Sequence, residues 1–115
     1  MKRLALILLC LLAFFFLKKI FFDNTDYKAM LVSGGIIIDV RSEAEFYSGH
    51  IESSLNIPLG DLPSKLDYLK DKDQAIITCC ASGIRSAGAA KLLSDKGYTN
   101  VVNGGGWSSL KSKLK

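Results

Sequence analysis

The first pattern along the chain is an unbroken apolar run from Leu4 to Leu17, bracketed by Lys2 and Arg3 before it and Lys18 and Lys19 after it. As a helix its 14 residues would span about 21 Å, short of the roughly 30 Å of bilayer hydrocarbon. Including Ile20, Phe21 and Phe22 lengthens the stretch to 19 residues, because lysines near a helix end can reach back to the headgroups. Residues 1–22 therefore read as a transmembrane anchor or a signal segment. A cleaved signal needs small residues at its cut site. The run ends instead in Phe-Phe-Phe-Leu-Lys-Lys, and Leu9 before Cys10 is too bulky for a lipoprotein site. An uncleaved anchor is expected, making contact with the membrane through residues 4–22. The amine, Lys2 and Arg3 outnumber Lys18 and Lys19 by one charge. This places the following domain, residues 23–115, on the extracytoplasmic or periplasmic side, with secretion to the periplasm as the alternative.

Beyond residue 22 the pattern changes to short apolar runs alternating with helical periods. Asp23 to Asp26 is polar, and Thr25 or Asp26 can cap a helix from Tyr27 to Val32. Ile36 to Val40 is a β-branched run closed by charge, suited to a strand buried on both faces. Ser42 opens a short helix through Tyr47, with Glu43 and Glu45 in its first turn and Gly49 after it. Leu55 to Pro58 is brief and extended. Leu59, Leu62, Leu66 and Leu69 fall on a helical period. Ala75 to Cys79 is a second buried strand, Ser86 to Lys96 a small-residue helix ending at Gly97, and Val101-Val102 a third strand. Asn103 to Gly106 reads as a glycine turn, and Trp107 to Leu114 as a final helix. Alternating strands and helices predict an α/β domain with a mostly parallel sheet.

Charge removes one class of partner. Four of the 15 basic residues lie in the first 22, which leaves 11 against 11 acids in residues 23–115. The formal +4 belongs to the N-terminal segment, so no nucleic-acid binding is expected.

Candidate chemistry gathers after the second strand. In open α/β sheets ligands bind beyond the carboxyl ends of the strands, where Cys79 and Cys80 stand. Ala81, Ser82, Gly83 and Ile84 then lead through Arg85 and Ser86 into a helix. A small glycine-containing turn at a helix start aims several amide N–H groups at one point and forms an anion nest. Those donors, the helix dipole and Arg85 favour a thiolate on Cys80, a competent nucleophile at neutral pH. Arg85 is suited to a forked grip on an anionic substrate. Cys79, Cys80, the distant Cys10 and a single histidine do not give zinc-ligand spacing, and no metal is expected.

Four stretches give the domain a family likeness. They are Ile38-Asp39-Val40-Arg41; Glu45-Phe46 with Gly49-His50-Ile51; Leu55-Asn56-Ile57-Pro58; and the loop from Cys80 to Ser86. With the glycines before Trp107, their order and spacing resemble a single-domain rhodanese, a thiosulfate-type sulfurtransferase. The resemblance implies a three-layer rhodanese-like α/β domain preceded by one hydrophobic N-terminal helix. It also implies that Cys80 is the nucleophile, with Gly83 three and Arg85 five residues after it. Ala81, Ser82, Gly83, Ile84 and Ser86 would bind substrate. Cys80 would take the outer sulfur of a small anionic donor such as thiosulfate, hold it as a persulfide, and pass it to cyanide or a thiol without a cofactor. Ala81 stands where many active members carry a basic residue, which weakens the expectation of thiosulfate as donor.

Two other functions fit parts of the pattern. Counting from Cys79, five residues precede Arg85 and Ser86, the spacing of cysteine phosphatases and arsenate reductases. Thr78 in place of histidine, and Gly83 three residues after Cys80, argue against it. The domain could also be a membrane-tethered persulfide carrier or interaction module. Cys79 could serve as a second thiol that resolves the persulfide. Among the remaining residues, His50 is expected to be structural and Asp39 to pair with Arg41 or loop backbone. Trp107 is expected to pack, and Lys111, Lys113 and Lys115 to be solvated.

Overall fold

The computed structural model describes residues 2–21 and 25–115, with the side chains of residues 15–21 excepted. The expected linker at Asp23-Asn24, the domain boundary between residues 22 and 23, and the lysine side chains at 18 and 19 lie outside what is described. Helix α1 covers Lys2–Phe21. Leu4, Leu6, Leu9 and Phe14 on it are each more than 60% exposed. The transmembrane anchor or signal expected at residues 1–22 is not supported: among the described residues no helix is long and apolar enough to cross a membrane. Arg3 and Lys18 leave only 14 apolar residues between them, about 21 Å of helix.

The domain holds one four-stranded sheet in the order β2-β1-β3-β4, parallel at every pairing. Its strands are β1 (Ile36–Asp39), β2 (Leu55–Asn56), β3 (Ile76–Cys80) and β4 (Val101–Gly106). Helices α2 (Tyr27–Val32), α3 (Glu43–Ser48), α4 (Ile84–Asp95) and α5 (Trp107–Lys113) make the connections, with a 3-10 segment at Leu59–Tyr68. Asp26 caps α2 by accepting from Ala29 N at 3.0 Å. Ser42 and Glu45 close a reciprocal capping box on α3.

Strand side chains alternate between faces, which sorts the core into two layers. Ile38, Val40, Ile76 and Cys80 pack with Leu62, Leu69, Ala89 and Leu93 beneath α4 and the 3-10 segment. Ile37, Ile77 and Cys79 pack with Tyr27 and Leu110 beneath α2 and α5. A parallel sheet covered on both faces is the expected three-layer arrangement.

Two expected elements change form. The helix expected at Leu59 to Leu69 winds as 3-10 with Pro63 inside it. Proline has no N–H to donate, and its ring crowds the carbonyl four residues back, so an α-helix is disfavoured there. The glycine turn expected at Asn103 to Gly106 is instead the second half of β4, paired to β3 through a register shift between Thr78 and Cys80. A Cβ on Gly104 would lie 2.7 Å from Ile77 Cγ2 and 2.9 Å from Thr78 O. That glycine is there for close strand approach.

Candidate active site

The order of the sheet reverses between β1 and β3, and the carboxyl ends of these two strands define the crevice where open α/β sheets bind ligands. Cys80 ends β3 there, one residue beyond the expected strand end, and α4 begins at Ile84, two residues before the expected start. Between them Ala81, Ser82 and Gly83 make the turn. Gly83 takes φ +98°, a left-handed conformation that a side chain would strain, and Asn103 Nδ2 donates to its carbonyl at 3.1 Å. Ala81, Ser82 and Ile84 are exposed on the outside of the turn.

The turn points its donors at one atom. Gly83 N donates to Cys80 Sγ at 3.0 Å and Ser86 N at 3.4 Å, and Ser86 Oγ lies 3.3 Å away. Ser86 Oγ also lies 2.7 Å from Asn103 Oδ1; its single proton is shared between that oxygen and the Cys80 sulfur, so Asn103 steadies both the turn and the hydroxyl. Burial alone would push the Cys80 thiol up. Hydrogen bonds from the Ser86 side chain and from the backbone of Ser86, Ser82 and Gly83 outweigh it and bring the thiol down to about 7. Along the chain Asn103 belongs to the expected glycine turn, and nothing local marks it further, because its partners lie 17 and 20 residues away.

Cys79 faces the other way. It is fully buried in the α2 and α5 layer, where burial first, and then the Asp39 charge, push its thiol up to about 12. The role as a second, resolving thiol and the phosphatase reading with Cys79 as nucleophile are both corrected by this geometry. The amides of the turn converge on Cys80, and a buried neutral thiol on the opposite face is inert.

Arg85 meets a carboxylate from another element. Its Nη1 and Nη2 donate to Glu45 Oε1 and Oε2 at 2.7 and 2.9 Å, a two-pronged ion pair that holds the guanidinium and is 40% exposed at the arginine. Hydrogen bonding to Arg85 pulls the Glu45 carboxyl down to about 2. Along the sequence Glu45 is a helix-start acid and a motif residue, with no sign of its pairing to Arg85.

The other polar residues are structural. Arg41 donates to Asp39 through Nε and Nη2, with Nη2 to Oδ2 at 2.8 Å, and to the carbonyls of Glu45 and Gly49. Its guanidinium lies 4.7 Å from the Trp107 ring centre. Asn56 Nδ2 ties the carbonyls of Asp39 and Arg41 together at 3.0 and 2.9 Å. His50 Nδ1 bonds the Phe46 carbonyl at 2.8 Å, and its ring stacks on Phe46 at 3.8 Å. Among the described residues no group of three or more His, Cys, Asp or Glu side chains could hold a metal ion.

Comparison with known proteins points the same way as this crevice. The model of the rhodanese-like domain family matches residues 23–113. Thiosulfate sulfurtransferase PspE of Escherichia coli is 34% identical over 70 residues, covering 60% of this chain and 67% of that protein. A solved rhodanese with anions from E. coli superposes with a TM-score of 0.59 at 34% identity, covering 64% of this chain and 88% of the other. The human single-domain sulfurtransferase TSTD1 gives a TM-score of 0.59 at 30% identity over 65% and 79% of the two chains. A family match across the whole domain, together with a parallel sheet that ends in a cradled cysteine, establishes that this chain belongs to the rhodanese family of sulfurtransferase-like domains.

Proposed function

We propose that the domain moves a sulfane sulfur from a donor to a thiophilic acceptor through a persulfide on Cys80. The observation that carries this reading is the convergence of Gly83 N, Ser86 N and Ser86 Oγ on Cys80 Sγ. The thiolate attacks the outer sulfur of the donor. A Cys80–S–S bond forms, and the donor's own sulfur–sulfur bond breaks with its electron pair leaving on the remnant, sulfite in the case of thiosulfate. A thiol or cyanide acceptor then attacks the outer sulfur and returns Cys80 as thiolate. The turn amides hold negative charge on either sulfur in place, so no metal or organic cofactor is needed. Ala81, Ser82 and Ile84 border the approach, Gly83 and Ser86 hold the sulfur, and Arg85 faces the entry with Glu45. Intact-mass measurement after incubation with thiosulfate or a persulfide tests this. One added sulfur is expected in the native chain and in Cys79→Ala, and none in Cys80→Ser. Retention of the added sulfur in Cys80→Ser would overturn the proposal.

The location of the domain is part of the same proposal. The exposed leucines and phenylalanine of α1 make an apolar surface on all sides, which water does not favour and lipid does. In this reading α1 rests against lipid without crossing it and tethers the sulfur-transfer domain there.

A further inference from the structure

Ser86 is fully buried, and its hydroxyl has one proton to give and two acceptors within reach. Asn103 Oδ1 lies 2.7 Å away on one side and Cys80 Sγ 3.3 Å away on the other. The shorter contact is to a residue that touches no reacting atom. Asn103 stands on β4, and two backbone groups fix which way round its amide lies. Gly105 N donates to Oδ1 at 2.9 Å, and Nδ2 donates to the Gly83 carbonyl at 3.1 Å. An N–H bonds only the amide oxygen and a carbonyl only the amide nitrogen, so Oδ1 is the atom turned to Ser86. One side chain from β4 thus joins the cysteine turn at Gly83 to the start of α4 at Ser86.

The sulfur's demand for the Ser86 proton changes through the reaction. As a thiol, Cys80 donates S–H to Ser86 Oγ, and the hydroxyl gives its own proton to Asn103. As a thiolate, Sγ carries a full charge and draws the hydroxyl proton to itself. Once the outer sulfur has been taken, Sγ is bonded on two sides, carries no charge and accepts only weakly. The negative charge then sits on the outer sulfur. The hydroxyl is left without a strong acceptor on the Cys80 side, and a buried donor in that condition is strongly disfavoured. Asn103 Oδ1 supplies the acceptor in that state. The hydroxyl turns about its Cβ–Oγ bond from one acceptor to the other, and the turn makes and breaks no covalent bond.

We propose that Asn103 is a positioning residue for the persulfide half of the reaction: by accepting the Ser86 hydroxyl proton whenever Cys80 Sγ holds no charge, it favours the sulfur-loaded and thiol forms over the bare thiolate. The inference rests on sulfur transfer at Cys80 and adds a residue from outside the cysteine turn. Asn103 acts through Ser86. Its other contact, to the Gly83 carbonyl, lies on the exposed side of the turn, where water replaces it. The Ser86 side is closed to solvent. Leucine, close to asparagine in size, removes the acceptor there and leaves no room for a water to take its place.

The test reads two quantities in the full-length native protein, Asn103→Leu, Ser86→Ala and the double variant. The first is the Cys80 pKa, from the pH dependence of alkylation. The second is the partition of sulfur between Cys80 and a small alkyl thiol supplied with its own persulfide, read by intact mass at about pH 9, where the Cys80 thiolate predominates. In Asn103→Leu the pKa is expected to fall by about half a unit to one unit, and the ratio of loaded to free Cys80 to fall about tenfold. A turn merely loosened by the substitution would move the pKa the other way, toward that of an ordinary thiol. Measured against Ser86→Ala, the double variant is expected to stay within about twofold on both readouts, because the hydroxyl that links Asn103 to the sulfur is gone. A pKa that rises or stays in Asn103→Leu, an unchanged sulfur ratio, or an equal drop in the Ser86→Ala background overturns the role of Asn103. No sulfur on Cys80 of the native protein sinks the underlying sulfur-transfer reading instead. If Asn103→Leu does not fold, Asn103→Val, apolar and suited to a strand, carries the same comparison with the same outcomes.

Discussion

Substituting Ser86 by alanine removes one donor from the Cys80 sulfur while leaving the Ser86 and Gly83 amides in place. The thiol sits at about 7 against an ordinary 9.0. At 1.36 kcal/mol per unit, that shift favours the thiolate over the thiol by about 3 kcal/mol. A hydrogen bond to a charged group contributes about 1.5–3 kcal/mol, and at 3.3 Å the lower end applies to Ser86 Oγ. Ser86→Ala is thus expected to raise the Cys80 pKa by about one unit. The thiolate fraction at pH 7 then falls from roughly one half to roughly one tenth. Alkylation by iodoacetamide, followed across pH with the ultraviolet absorbance of the thiolate as a second readout, measures this. The rate at pH 7 is expected to drop about fivefold, with the high-pH plateau preserved. An unmoved midpoint would refute the assignment of Ser86 Oγ as a thiolate donor.

The same shift has a consequence for folding. The folded-state pKa of Cys80, about 7, lies below the ordinary 9.0 of an unfolded thiol. The stabilisation is therefore fully present above pH 9 and is lost as pH falls through 7. Cys79, held up at about 12, works in the opposite direction from about pH 9 upward. The window between pH 7 and 9 reports Cys80.

Two further outcomes are expected. Asp39→Ala leaves the Arg41 guanidinium, whose side chain is 5% exposed, without its carboxylate. Urea unfolding should show about 3–5 kcal/mol of lost stability; a loss under 1 kcal/mol would mean that the carbonyls of Glu45 and Gly49 suffice to hold it. If α1 rests against lipid, the full chain should sediment with membranes through high-salt washing, and replacing Leu8 and Leu12 together by lysine should release it to the supernatant. Unchanged sedimentation of the double variant would rule out α1 as the tether.

The strand positions, the Ser42 cap and the loop from Cys80 to Arg85 were legible because each is a local event. A strand needs a β-branched run, a cap needs a side-chain oxygen at the right residue, and an anion nest needs glycine before a helix. The forms of two segments were not legible. The 3-10 winding of Leu59–Tyr68 reflects Pro63 acting against a helical apolar period, and the glycines of β4 serve the approach of Ile77, Thr78 and Leu110 from other elements.

By itself the chain determined that a cysteine at the end of a buried strand precedes a glycine turn and a helix, within the motif order of a rhodanese. The spacing to Gly83 already preferred Cys80 to Cys79. What the tertiary structure decided is why that choice is physical. Adjacent strand residues point to opposite faces, and only the face carrying α4 supplies amides to a sulfur, so Cys80 is cradled and Cys79 is shut away. It also decided what Arg85 meets. Its partner, Glu45, stands 40 residues earlier on a helix that only the folded sheet brings alongside, and no pattern along the chain encodes a pairing made by folding across that distance.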